Sequence, residues 1–402
     1  DIFMDINQKI TEELGVKKWQ VDAAVKLIDE GNTIPFIARY RKEATGTLDD
    51  EQLRKLHERL IYLRNLEEKK EQVLSSIEEQ GKLTEELKTQ IMAAETLVVV
   101  EDLYRPYRPK RRTRATIAKE KGLEPLAALI TMQKLKQPVD EAAAEYINPE
   151  KEVNTIEEAI AGAKDIIAES ISDEADYRIW IRKMTTQRGR VISAAKDEKA
   201  ESVYEMYYDF EEPVNRLAGH RILALNRGEK EKFLTVKIDA PEEEIIRYLE
   251  KKTIHEDNPY TTPIMKAVVE DSYKRLIAPA IEREIRNELT ERAEDGAIEV
   301  FKKNLEQLLM QPPITGQTVL GWDPAFRTGC KLAVVDPTGK VIGTTVIYPT
   351  APTTPQKIKA SKDLLKKIIP KYNITLISVG NGTASRESEM FIVELLKEIP
   401  QK

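Results

Sequence analysis

The densest chemistry in the chain lies in Tyr104-Arg105-Pro106-Tyr107-Arg108-Pro109-Lys110-Arg111-Arg112-Thr113-Arg114, where cations alternate with two tyrosines and two prolines. Arg and Lys gain affinity for a phosphate backbone largely by releasing its condensed counterions, and tyrosine rings offer faces on which unpaired bases stack. The prolines deny the run a regular helix. They predict an extended segment that spreads Arg105, Arg108, Lys110, Arg111, Arg112 and Arg114 along several phosphates, with Tyr107 among them. The same run has a second reading, as solvated surface or as a partner for acidic helices of its own protein. Two smaller basic segments accompany it. Arg39, Arg41 and Lys42 flank Tyr40 ahead of a polar turn at Thr45-Gly46, and Arg221 and Arg227 form a further phosphate-contacting face beside His220. Phe36 and Ala38 indicate that the first of these also packs, with its arginines free to bridge to neighbouring acidic helices. His220 is expected to sit neutral in a helix core.

The rest of the composition narrows the chemistry. At 402 residues the chain is long enough for two or three domains. It carries 63 Lys and Arg against 69 Asp and Glu, a formal charge of -6, so attraction to phosphate requires segregated charge. One cysteine, Cys330, excludes an internal disulfide, and His57, His220 and His255 have no paired zinc spacing. Cys330, between Gly329 and Lys331, is expected to be buried and structural rather than nucleophilic. No apolar run has membrane-spanning length and no secretory leader is evident, which favours a cytoplasmic protein in a reducing compartment. Met4 reads as a natural start behind a short tag remnant. A phosphate-binding Gly-x-x-x-x-Gly-Lys-Ser/Thr loop and a dinucleotide Gly-x-Gly-x-x-Gly are both missing, which argues against an ATPase or a dehydrogenase.

The elements that must position these residues fall into two parts. To about Met310 the apolar residues recur at helical spacing, clearest over Asp50 to Gln80 and over Ile277 to Met310, where Ile277, Ile281, Ile285 and Leu289 form one stripe. Thr155 with Glu158 has capping-box spacing, and Gly228 is placed to end a helix through Ile222 to Leu225. Phe233 to Ile238 alternates as a strand without an evident partner. Pro312-Pro313 closes the helical part, giving domains 1–312 and 313–402. Beyond it, Thr318 to Asp323, Lys331 to Asp336 and Val341 to Tyr348 form an antiparallel meander with a turn at Asp336-Pro337-Thr338-Gly339. Gln356 to Ile369 is a helix, Thr375 to Val379 a strand paired parallel through its crossover, and Ser385 to Ile399 a helix. Three meander strands followed by helix, strand and helix open a ribonuclease H-like fold. Its later elements are not in the chain, so the natural protein is expected to continue beyond Lys402.

Nucleases of that fold need several carboxylates converging on two metal ions. Asp323 stands where the first belongs. The later strand ends Ser378-Val379-Gly380-Asn381 without an acid, so the nearest candidates are Glu387 and Glu389 on the following helix. The preferred reading of Asp323 is a turn carboxylate before Pro324, and Asp323 with Glu387 reads as a vestigial pair. Magnesium is expected only if the nuclease reading holds, and otherwise no cofactor or metal. The loop Gly380 to Ser385 precedes a helix whose amides could accept a phosphate, a turn type that also arises for steric reasons.

The chain resembles the Tex transcription accessory proteins. The resemblance rests on Ile34-Pro35-Phe36-Ile37-Ala38-Arg39-Tyr40-Arg41-Lys42-Glu43-Ala44-Thr45-Gly46, on Glu101 to Tyr104 through Thr116-Ile117-Ala118 and Lys121-Gly122-Leu123-Glu124-Pro125-Leu126, and on His220 to Glu229. Gly321-Trp322-Asp323-Pro324 with Arg327-Thr328-Gly329-Cys330, and Gly380 to Glu387, resemble two halves of the family's YqgF-type domain. The resemblance implies a mainly α N-terminal multi-helix region with a helix-turn-helix-like unit, then a partial α/β RNase H-like (YqgF) domain. It also implies helix-hairpin-helix modules and an RNA-binding OB-fold domain further along the family's chains. The functional expectation is a non-catalytic nucleic-acid (RNA)-binding transcription accessory factor whose partners are RNA and/or DNA. The alternatives are a metal-dependent nuclease using Asp323 and a helical scaffold for RNA polymerase or the ribosome.

Overall fold

The computed structural model describes residues 4–400, and the chain forms two compact units, Asp1–Val300 and Phe301–Lys402, with the division inside the helix Ala278–Leu309. No helix among the described residues is long and apolar enough to cross a membrane.

The first unit is helical and has two cores. One gathers around the helix Asp50–Glu79, which Asp49 caps in a reciprocal pair with Gln52 and which buries Leu53, Leu56, Leu60, Leu63 and Leu66 at three- and four-residue steps. The helices Ile6–Leu14, Lys18–Asp29, Ile34–Tyr40 and Leu97–Tyr104 contribute to the same core. The other core uses the helix Ile156–Ser172 and the stripe Ile277, Ile281, Ile285 and Leu289, all buried as the periodicity requires. Thr155 caps its helix through the amide of Glu158, but the Glu158 carboxylate reaches back to the amide of Asn154, one residue before the cap, so the box is not closed. A π-helical segment, Ser272–Ile277, joins the helix Thr262–Asp271 to Ala278–Leu309. Pro279 lacks an amide and crowds the carbonyl four residues back, and the widened turn before it absorbs both effects.

A three-stranded antiparallel sheet sits among these helices: β1 (Arg190–Ala195), β2 (Asp209–Pro213) and β3 (Leu234–Asp239), in the order β2-β1-β3. The strand expected at Phe233 to Ile238 therefore has its partner in β1, with Val191 opposite Ile238 and Ser193 opposite Val236. The partner escapes notice because β1 contains Ser193 and two alanines and β2 is acidic, both weak strand formers. Gly228 does not end its helix, which runs Gly219–Lys230. A side chain there would place its Cβ 2.4 Å from Leu234 Cδ1, so the glycine marks where the helix lies against β3. His220, expected in the core, is exposed in the first turn of this helix, because the buried stripe falls on Ile222 and Leu225.

The second unit follows the predicted element order. β4 (Val319–Asp323), β5 (Cys330–Val335) and β6 (Val341–Ile347) form the meander, and β7 (Leu376–Val379) joins β4 in parallel, giving β6-β5-β4-β7. Asp336 fixes the β5–β6 turn by accepting from the amides of Thr338 and Lys340, both at 2.9 Å. Leu320, Trp322, Cys330, Leu332 and Val334 face Leu365, Ile369, Phe391 and Leu395 of the helices Pro355–Lys371 and Ser385–Lys397. Cys330 is buried, with its thiol near Ser388 Oγ at 3.7 Å.

Replacing Gly228 by Ala is expected to destabilise the first unit by about 1–3 kcal/mol, the cost of overpacking against buried Leu234 exceeding the gain in helix propensity of roughly 1 kcal/mol. Urea unfolding of the variant beside the parent chain measures it.

Candidate nucleic-acid interface

The basic run grows out of the helix Leu97–Tyr104, whose Asp102 is 2% exposed. Arg182 donates to both Asp102 carboxylate oxygens at 2.9 Å and to Glu284 Oε2 at 2.9 Å, tying this helix to Ala175–Arg188 and Ala278–Leu309. Burial pushes the Asp102 carboxyl above the ordinary range although Arg182 opposes it. Next to this link, buried Arg178 donates to the backbone oxygen and the hydroxyl of Ser172. Its guanidinium is pushed down to about 10, first by burial and then by neighbouring Arg105. Arg178 Nη1 and Arg105 Nε are buried without hydrogen-bond partners.

The run itself is not extended throughout, as its prolines suggested. Arg105–Tyr107 forms a 3-10 turn, because the fixed φ of Pro106 suits a helical turn, and Thr113 caps a helix that begins at Arg114. Its cations divide in two. Lys110 is half-buried and bridges Glu169 at 3.4 Å and Asp173. Arg108 lies 3.6 Å from Glu101 and Arg112 3.7 Å from Glu120, both on the surface. Arg111 and Arg114 are exposed and, among the described residues, have no carboxylate within ion-pair distance. Tyr107 is half-buried, packs against the first core, and uses its carbonyl to accept from Gln80 Nε2. Lys110 thus serves as a partner for acidic helices of its own protein, while Arg111 and Arg114 are left without one among the described residues.

Arg39, Arg41 and Lys42 do not bridge to acidic helices: among the described residues none has a carboxylate within 4.0 Å. The Arg41 guanidinium lies over the Phe36 ring at 5.0 Å and donates to the carbonyl of Tyr40. Arg221 and Arg227 do not share a face. Six residues separate them, about 240° around a helix. Arg221 pairs with Glu212 at 2.9 Å and sits 5.5 Å from the Phe210 ring, while Arg227 is exposed.

Asp323 ends β4 on the sheet face opposite buried Trp322, since neighbours along a strand point to opposite faces. Its carboxylate accepts no hydrogen bond among the described residues, so it does not brace the turn before Pro324. It lines a shallow trough with Gly321, Lys331, Ala333, Thr344 and Ser378. Glu387 and Glu389 are exposed on the helix Ser385–Lys397, which packs through Phe391 on the Trp322 face. The described residues contain no group of three or more His, Cys, Asp or Glu side chains placed to hold a metal. Asp323 thus projects from the sheet face opposite the one that the helix bearing Glu387 covers.

The structure adds cations that the sequence reading did not single out. The helix Pro355–Lys371 carries Lys357, Lys359, Lys362, Lys366, Lys367 and Lys371 against one acid, Asp363. Lys362 and Lys366 share Glu398 at 3.4 and 2.9 Å, and Lys357 and Lys371 lie over the Tyr348 and Tyr372 rings. Lys359 and Lys367 remain exposed with no carboxylate within 4.0 Å among the described residues. Counting charge by unit would have found them: 301–402 holds 14 Lys and Arg against 8 Asp and Glu, whereas 1–300 holds 49 against 61.

Three family models match in succession: the Tex-like protein N-terminal domain over residues 4–78, the Tex central region-like model over 134–301, and the Tex protein YqgF-like domain over 317–402. The chain belongs to the Tex family. It is 52% identical over 400 residues to the uncharacterized protein YdcI of Bacillus subtilis, covering 99% of this chain and 55% of that protein. It is 38% identical over 416 residues to the transcriptional accessory protein Tex of Neisseria gonorrhoeae, covering 99% of this chain and 52% of that one. To the human S1 RNA-binding domain-containing protein 1 it is 31% identical over 408 residues, 98% of this chain and 40% of that one. This Tex-family chain thus spans about half the length of the bacterial relatives it matches.

Lys110→Gln is expected to destabilise the chain by about 2 kcal/mol at pH 7, since Glu169 and Asp173 then stay largely buried without their cation. Arg111→Gln is expected to leave stability unchanged. Burial already raises the Asp173 carboxyl above its unfolded value, so its protonation favours the folded state and its stabilising effect is lost as pH rises through that raised value. Removing Lys110 raises it further. The deficit should therefore shrink as pH falls to 4, which thermal melts at the two pH values check.

Proposed function

We propose that this chain is a nucleic-acid-binding portion of a transcription accessory factor, contacting the phosphates of RNA or DNA without reading bases and without chemistry of its own. The observation that carries the reading is the segregated charge: an excess of cations in 301–402 beside an acidic 1–300, with Lys359 and Lys367 unpaired on a lysine-rich helix. A chain with net charge -6 repels a polyanion on average, and only local surfaces of this kind reverse that. Arg39, Arg41, Lys42, Arg111 and Arg114 add unpaired cations in the first unit, and Arg105, Arg108, Arg112, Arg221 and Arg227 are further cations of that unit with partly engaged or isolated charge. The names of two relatives, a transcriptional accessory protein and an S1 RNA-binding domain-containing protein, support the same reading.

The test is binding to labelled single-stranded RNA and to duplex DNA across a salt series. The logarithm of the binding constant is expected to fall linearly with the logarithm of salt concentration. The combined variant Arg111→Gln, Arg114→Gln, Lys359→Gln, Lys367→Gln should flatten that slope by about 3, each lost phosphate contact removing roughly 0.7–0.9. An unchanged slope removes the phosphate assignment. Cleavage of the RNA that requires magnesium and vanishes in Asp323→Asn would replace the reading with the nuclease one.

A further inference from the structure

The helices Lys18–Asp29, Ile34–Tyr40 and Lys42–Thr45 build a small surface on which large aromatic rings face solvent beside free cations. Trp19 is 52% exposed and Tyr40 is 56% exposed, unusual for the two largest aromatic side chains of a helical bundle surface. Neither is a loose appendage. A Cβ at Gly46 would come within 2.6 Å of Trp19 Cη2, so the indole lies against the backbone there, and Gly46 has a positive φ of 64° that a glycine adopts without strain. Gln20, the next residue, donates from Nε2 to the carbonyls of Thr45 and Gly46, both at 3.0 Å. Buried Thr45 in turn donates to the carbonyl of Arg41 at 3.2 Å, closing the turn of its own short helix. The Tyr40 ring packs at 5.3 Å from Phe36, and the Arg41 guanidinium lies over Phe36. The Arg39 guanidinium sits 6.0 Å from the centre of the Tyr40 ring.

The outcome is two exposed rings held on neighbouring elements, with Arg39, Arg41 and Lys42 flanking Tyr40 in the chain and none of the three within 4.0 Å of a carboxylate among the described residues. Glu43 is exposed on the third helix and makes no ion pair with them within that distance. Rigid aromatic faces amid unpaired cations suit a strand whose bases are unstacked and whose phosphates run alongside: the cations hold the backbone and the rings take bases. In a duplex the bases are already stacked on one another, so the rings have nothing to gain there. A purely electrostatic patch would have no use for exposed Trp and Tyr.

We propose that Trp19 and Tyr40, with Arg39, Arg41 and Lys42, form a stacking site for single-stranded nucleic acid, which makes this surface selective for strandedness. This rests on the nucleic-acid reading above and adds to it a site and a substrate class. The surface requires no sequence preference, because every base has a face to stack.

The test compares this chain with Tyr40→Ala and Tyr40→Phe, using a labelled twenty-nucleotide single-stranded RNA and a duplex DNA of the same length. Tyr40→Ala should weaken single-strand binding about tenfold and leave duplex binding unchanged, whereas Tyr40→Phe should retain both. Because Trp19 packs on Gly46 and its removal could disturb folding, it is followed in place. In a Trp180→Phe background, where buried Trp322 stays constant, single-stranded RNA should quench the Trp19 emission and duplex should not. Equal losses on both nucleic acids in Tyr40→Ala, or none, overturn the stacking site while leaving the salt-dependent reading intact. Absence of any binding at low salt overturns both. A concentration-dependent dimer that Tyr40→Ala abolishes would assign the patch to a second copy of the chain and overturn the proposal.

Discussion

The first unit depends on one buried ionic link. Arg182 reaches from the middle of its helix to Asp102 on one side and Glu284 on the other, so three helices distant in sequence are held at a single guanidinium. A carboxylate as enclosed as Asp102 is tolerable only with such a partner, because an unpaired buried charge is far more costly than an exposed one. The link also bears on the basic run. Asp102 lies three residues before Arg105, so the point at which the basic run leaves the core is set by this contact rather than by the run's own composition.

Charge in this protein is sorted by how it is used. Lys110 and Arg182 serve the interior, pairing with carboxylates whose charged form burial disfavours. Arg111, Arg114, Lys359 and Lys367 stand clear of acids and are available to a polyanion. The sorting is invisible in the net charge and only half visible in clusters, since a run of like charges looks identical whether or not acidic groups from remote helices come to meet it.

The second unit shows the same division between scaffold and surface. Alternation along β4 and β5 puts Leu320, Trp322, Leu332 and Val334 beneath two helices and puts Asp323 and Lys331 on the other side. That alternation separates Asp323 from the helix bearing Glu387. The later strand, β7, also ends without an acid, at Ser378-Val379-Gly380-Asn381.

Local pattern carries far in this chain. The stripe at Ile277, Ile281, Ile285 and Leu289, the long helix from Asp50 and the order of elements after Pro312-Pro313 were legible because each depends on residues close in sequence, and the family motifs are contiguous. Other features depended on remote contacts. Gly228 looked like a helix end until β3 lay against it, His220 looked buried until Ile222 and Leu225 claimed the inner face, and β1 and β2 were too weak alone to announce their sheet. The same holds for the candidate site. The sequence alone determined which residues are basic or aromatic, while the tertiary structure decided which cations meet carboxylates and which rings stay uncovered, because ion pairing and burial are set by side chains that folding brings together from tens to hundreds of positions apart.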